Sequence, residues 1–236
     1  MDNLFLSQDD WTPILQAQSE RFDRETEIQL GLQPPWKLPA DLEVLSFWQA
    51  CQLDHLQDRL AVPFFQLRTP QKREQCLDIG CGVSFFLYPW SQWNASFFGH
   101  ELSPQVVKLL QSRAPQLNSK LFKSVRQGMA HQLAAYDDRQ FDQVIATGFL
   151  AYYPLEYLAA IWPQVRRVLK PGAPVIIDWV RAESPWAEEW GLIELFKGTE
   201  PFLIPSERWE ATIRHLGGRI LKLASGELYT TALIQP

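Results

Sequence analysis

The sequence predicts a doubly wound α/β fold, on three observations. From about residue 75 to 180, short apolar runs alternate with stretches of helical apolar spacing, the pattern of strands joined by crossover helices. The first such run, Cys76-Leu77-Asp78-Ile79, leads straight into the glycine turn Gly80-Cys81-Gly82. The next run closes on an acid, Glu101, nineteen residues after Gly82.

The elements follow in order. Asp9-Asp10-Trp11-Thr12-Pro13 reads as a helix start, with acids and a proline in the first turn. Pro34-Pro35 and Pro39 interrupt the chain, after which Asp41 can cap a helix. Leu42, Leu45, Trp48, Leu53, Leu56 and Leu60 recur at near-helical spacing and need a surface to pack on. That surface is either the main domain as ordinary docking, or a substrate site that the segment covers. Residues 69–74 are a polar connector, and strand one is expected at 75–79.

Leu77 and Ile79 suit a buried parallel strand, whereas Asp78 in the same run is costly without a partner. Gly80 and Gly82 tolerate positive φ and let backbone approach a ligand closely. Val83 to Tyr88 should open a helix that Pro89 limits, with Phe85 and Phe86 adding bulk, and its N-terminus suits a carboxylate. Strand two is Ala95 to His100, closed by Glu101, an acid placed to accept hydrogen bonds from a ribose diol. Ser103-Pro104 then supplies an N-cap and N1 pair for a helix burying Val106, Val107, Leu109 and Leu110.

Leu121 to Gln127 alternates as strand three and Val144 to Ala146 is strand four. Thr147, Gly148, Phe149, Tyr152 and Tyr153 follow at its carboxyl end, where open α/β sheets bind ligands. Tyr152 and Tyr153 are read either as pocket wall and phenol hydrogen bonders or as packing under the next helix. That helix runs from Leu155 to Leu169, and strand five from Pro174 to Val180. Residues 181–205 carry Trp186, Trp190, Phe196 and Phe202, enough apolar content for an ordered insertion of the kind that covers substrates. A helix from Ser206, ended by Gly217-Gly218, precedes a hairpin of Arg219–Ala224 and Tyr229–Ile234.

Five of these blocks, in order across roughly residues 70–180, resemble the class I methyltransferases that use S-adenosylmethionine, in their small-molecule branch. They are Asp78-x-Gly80-x-Gly82; Glu101-Leu102-Ser103-Pro104; Gly128-Met129-Ala130-His131-Gln132-Leu133; Phe141-Asp142-Gln143-Val144; and Val168-Leu169-Lys170-Pro171-Gly172. The resemblance implies a mostly parallel seven-stranded sheet of order 3-2-1-4-5-7-6 with strand seven antiparallel, under an N-terminal helical lid. It divides the chain into a lid segment, 1–68, and a Rossmann-like methyltransferase domain, 69–236, with 181–205 covering the substrate.

The cofactor implied is S-adenosylmethionine, bound by Asp78, Gly80, Cys81, Gly82, Ser84, Glu101, Leu102, Met129, Ala130, Thr147 and Gly148. Ser84 stands where the family usually has glycine, and it is small and offers a hydroxyl. Met129 stands where the family usually has an adenine-reading Asp, so an apolar contact with the ring face replaces that hydrogen bond, with backbone near Ala130 reading the edge. Methyl transfer from a sulfonium chiefly needs donor and acceptor in line, and a base only for an acceptor protonated at neutral pH. Tyr152, Tyr153 and His131 are the catalytic candidates, with Glu183 a further one by position.

Composition narrows the partners. A net charge of −5 argues against a nucleic-acid footprint. No apolar run of roughly 18 residues predicts a membrane span, and no basic segment precedes an apolar one at the start of the sequence. Cys51, Cys76 and Cys81 lack metal-binding spacing and read as free thiols, so a cytoplasmic location and no metal are expected. The ten tryptophans serve core packing or line an aromatic pocket, which favours a small, partly apolar acceptor. Two other readings stay open: a methyltransferase-like fold serving as a cofactor-binding or interaction module, and a nicotinamide-dependent oxidoreductase. The second wants a glycine where Phe85 stands.

Overall fold

The computed structural model describes residues 11–86, 88–114 and 121–236. Among them seven strands form one sheet: β1 (Gln75–Ile79), β2 (Ser96–Glu101), β3 (Phe122–Gln127), β4 (Gln143–Ala146), β5 (Val175–Val180), β6 (Arg219–Ser225) and β7 (Tyr229–Gln235). Their order is β3-β2-β1-β4-β5-β7-β6. All neighbours run parallel except β7, which is antiparallel to both β5 and β6. This is the predicted doubly wound topology, with the order reversing between β1 and β4.

The period of two in the strands sorts the core into two layers. Leu77, Ile79, Val144, Ala146, Ile177 and Trp179 point to one face, and Cys76, Phe97, Ile145, Ile176 and Leu233 to the other. The helices are α1 (Thr12–Gln29), α2 (Ala40–Glu43), α3 (Ser46–Leu53), α4 (Phe64–Leu67), α5 (Trp90–Trp93), α6 (Pro104–Arg113), α7 (Leu155–Val168), α8 (Ala187–Phe196) and α9 (Ser206–His215). Residues of α1, α7, α8 and α9 pack on the Leu77 face, and those of α4, α5 and α6 on the Cys76 face. Ser103 caps α6 as expected, its Oγ accepting from the Val106 amide at 3.0 Å.

Three expectations need correction. The leucine-rich stretch 42–60 is not one helix but α2, α3 and a short 3-10 turn, Leu56–Arg59. Leu45 is extended and His55 sits in the left-handed region, so the stripe breaks twice, leaving Leu53 exposed while Phe47 and Leu56 are buried. A distant residue stabilises the second start: Glu189 of α8 accepts from the Phe47 amide at 2.6 Å and the Ser46 hydroxyl at 2.9 Å. Asp41 does not cap α2, whose N-cap is Pro39. After the glycine turn the expected helix is only a 3-10 turn, Val83–Phe86, before Pro89 and the single turn of α5. The expected helix start at Asp9-Asp10 lies outside the described residues; α1 begins at Thr12.

Candidate functional site

The switch in strand order leaves a crevice at the carboxyl ends of β1, β2 and β4, and a cavity of about 280 Å³ occupies it. The β1 turn supplies Gly80 and Gly82, at φ +66° and +51°. Gly80 is fixed by its amide, which donates to the His100 carbonyl at 2.7 Å. A Cβ at Gly82 would meet nothing closer than the Gly80 carbonyl at 3.9 Å, so the turn presents bare backbone.

Glu101 ends β2 and is buried. One carboxylate oxygen accepts from the Gly82 amide at 2.8 Å and the other from the Ser103 amide at 3.0 Å. Burial pushes its pKa up and these amides oppose the shift. The carboxylate thus joins the glycine turn to the start of α6, and keeps lone pairs for a further donor. His100 behind it has its pKa lowered by burial, and its Nε2 lies 3.0 Å from the Met129 carbonyl. Its ring occupies the space that a side chain at residue 128 would need: a Cβ on Gly128 would come within 2.6 Å of the imidazole.

The structure brings together Gly80, Gly82, Glu101, Leu102, Ala130, Thr147, Gly148 and Tyr153 as cavity lining. It does not bring Asp78, Cys81 or Met129 there. Asp78 points to the opposite face of β1, where its Oδ2 accepts from the Tyr88 hydroxyl at 2.6 Å. The thiol of Cys81 is buried beneath Gly99. Met129 packs against the core and offers only its carbonyl to His100. The side chain of Ser84 lies outside the described residues.

Of the catalytic candidates, Tyr153 alone lines the cavity, its ring stacked on Tyr157 at 4.2 Å. The Tyr152 hydroxyl instead donates to Glu194 of α8 at 3.1 Å, and burial pushes its pKa far up. His131 Nδ1 lies 3.1 Å from the Tyr157 hydroxyl. Glu183 is half-exposed and accepts from the Ser206 hydroxyl at 2.8 Å. These three are held by structural partners away from the cavity.

The remaining wall was missed in the sequence. Leu15, Arg21, Phe22, Glu25, Thr26 and Gln29 of α1 cover the cavity opposite the glycine turn. Their spacing of three and four is helical, but the face is largely polar, so it gives no apolar stripe to notice.

Two buried carboxyls flank the site. Burial pushes the pKa of Asp78 up to about 7, against the pull of the Tyr88 hydroxyl. Asp178 of β5 is likewise pushed to about 7 while its Oδ1 accepts from the Gly148 amide at 2.8 Å. An unfolded Asp ionises near ~3.9. A carboxyl with a raised folded pKa binds its proton more tightly when folded, so its contribution is favourable at low pH and is lost as pH rises from about 4 to 7. Asp78→Asn keeps an acceptor for Tyr88 and cannot ionise. Its melting temperature relative to wild type should therefore climb across that window and level off above it. Thermal unfolding over a pH series measures this, and a flat difference contradicts a raised Asp78.

A seven-stranded sheet of this order, with a bare glycine turn after β1 and an acid ending β2, defines the class I methyltransferase fold. The comparisons agree. Residues 77–177 match the family model for a methyltransferase domain. Chondramide synthase cmdD of Chondromyces crocatus is 28% identical over 109 residues, which are 44% of this chain and only 3% of that protein.

Among solved structures, an S-adenosylmethionine-dependent methyltransferase from Aquifex aeolicus has a TM-score of 0.57 at 18% identity, covering 81% of this chain and 100% of that one. Geranyl diphosphate C-methyltransferase from Streptomyces coelicolor A3(2), solved with Mg²⁺, geranyl diphosphate and S-adenosylhomocysteine, has a TM-score of 0.61 at 10% identity, covering 94% and 97%. No helix among the described residues is long and apolar enough to cross a membrane, and no cluster of metal-ligating side chains occurs among them.

Proposed function

We propose that the cavity binds S-adenosylmethionine and that the protein transfers its methyl group to a small, partly apolar organic acceptor. The observation that carries this reading is Glu101, a buried carboxylate at the carboxyl end of β2, clamped to the glycine turn and facing the same cavity. When bound, the cofactor supplies a methyl group already activated on a sulfonium.

The chain's own groups then have distinct tasks. Glu101 accepts from the ribose hydroxyls. Leu102 and Ala130 give the adenine an apolar seat, and the bare backbone of Gly80 and Gly82 admits the amino-acid end. Gly148 adds room beside them, since a Cβ there would meet nothing within 4 Å. The α1 wall serves as a lid that excludes water and holds the acceptor in line. Leu15 and Phe22 supply its apolar surface, Phe149 adds to it from the segment after β4, and the Tyr153 hydroxyl orients the acceptor.

Calorimetry with S-adenosylhomocysteine tests the reading. Micromolar binding is expected, with displacement by S-adenosylmethionine. A folded protein that binds neither is not a methyltransferase, and the fold then serves another role.

A further inference from the structure

Arg21 is the unusual member of the α1 wall. Its side chain is only 7% exposed, yet it lines the cavity. A guanidinium carries five N–H donors. Nη2 donates to Glu194 at 2.7 Å, but Nε is buried without a partner, and Nη1 makes no hydrogen bond among the described residues. A buried donor without a partner costs about 1–3 kcal/mol, and a site that keeps one is suited to a ligand that completes it.

The surrounding charges leave the guanidinium available. Glu194 does not neutralise Arg21 alone, because the same carboxylate takes Lys197 Nζ at 3.2 Å and the Tyr152 hydroxyl at 3.1 Å. Glu25 lies 3.9 Å away, and its carboxylate also accepts from Trp36 Nε1. The rings of Phe22 and Tyr152 lie 4.5 and 5.7 Å from the guanidinium carbon and hold its plane. A planar, oriented guanidinium with an open end is built to take a carboxylate.

We propose that Arg21 is a carboxylate-binding residue of this cavity. The inference rests on the cofactor reading above and deepens it. The carboxylate has two sources, the amino-acid end of the cofactor or the acceptor itself, and an apolar acceptor with a carboxylate head would match the mixed wall.

The probes are S-adenosylhomocysteine, 5′-methylthioadenosine (which lacks the amino-acid carboxylate) and decanoate, titrated into wild type, Arg21→Gln and Arg21→Gln/Glu194→Gln. The double variant removes the charge that the single one leaves buried, and circular dichroism monitors folding of both. The expected result is an affinity loss of tenfold or more for one carboxylate probe, with methylthioadenosine unchanged. Loss on S-adenosylhomocysteine assigns the cofactor's carboxylate. Loss of decanoate binding to the S-adenosylhomocysteine complex, with S-adenosylhomocysteine itself unaffected, assigns the acceptor's.

Unchanged affinity for both carboxylate probes in a folded variant overturns the proposal, and so does an equal loss on methylthioadenosine. If wild type binds no adenosine probe, the cofactor reading fails. Decanoate on the protein alone then decides: binding that depends on Arg21 upholds the inference, and any other result ends it.

Discussion

Replacing Glu101 by alanine is expected to lower S-adenosylhomocysteine affinity by at least about 100-fold. A hydrogen bond to a charged group contributes roughly 1.5–3 kcal/mol, and a ribose diol makes two, so the loss exceeds the ~2.7 kcal/mol that corresponds to a hundredfold change. The substitution also orphans the amides of Gly82 and Ser103, which both bind this carboxylate. Stability should fall by about 1–3 kcal/mol as a result. Glu101→Gln keeps one carbonyl acceptor and should lie between the two. Calorimetry on folded protein gives the answer. An alanine variant that still binds like wild type would place the ribose elsewhere.

Gly80→Ala should have the largest effect on stability of any single methyl group added near the site. The residue sits at φ +66°, a region that costs an L side chain roughly 1–2 kcal/mol. Its Cβ would also lie 2.8 Å from Phe149 Cδ1. Phe149 is buried, so its ring must shift against packed neighbours, and such overpacking costs about 1–3 kcal/mol. A protein of this size loses roughly 2–4 °C of melting temperature per kcal/mol, so a fall on the order of 10 °C is expected. Cofactor binding should weaken in parallel. A thermal shift below a few degrees would mean that the turn relaxes freely.

What the sequence disclosed was local. The strand-turn-acid pattern of Cys76 to Gly82 needs only neighbours in sequence, as does the Ser103-Pro104 start of α6, and both stand where expected. The leucine stripe of 42–60 misled because spacing says nothing about the left-handed His55 or about Glu189, a residue of α8 that caps α3. The two tyrosines after β4 look alike in sequence, but a 3-10 turn separates their directions: Tyr153 faces the cavity and Tyr152 meets Glu194. Asp78 shows the same limit, since strand alternation carries it to the face of Tyr88. Arg21 gave no signal at all, because a guanidinium on a polar helix looks like a solvated one until the fold buries it.

The wall opposite the glycine turn comes from residues 15–29, whereas the methyltransferase match covers residues 77–177. The two halves of the cavity therefore answer to different constraints. The β1 and β2 ends are fixed by sheet register, in which a slip of one residue would turn every side chain to the wrong face. The inner face of α1 has no strand partner to obey. Substitutions at positions 15, 22, 25, 26 and 29 can redraw the cavity's shape and polarity while the sheet stays as it is, so a lineage could acquire new substrates through this helix without altering its glycine turn.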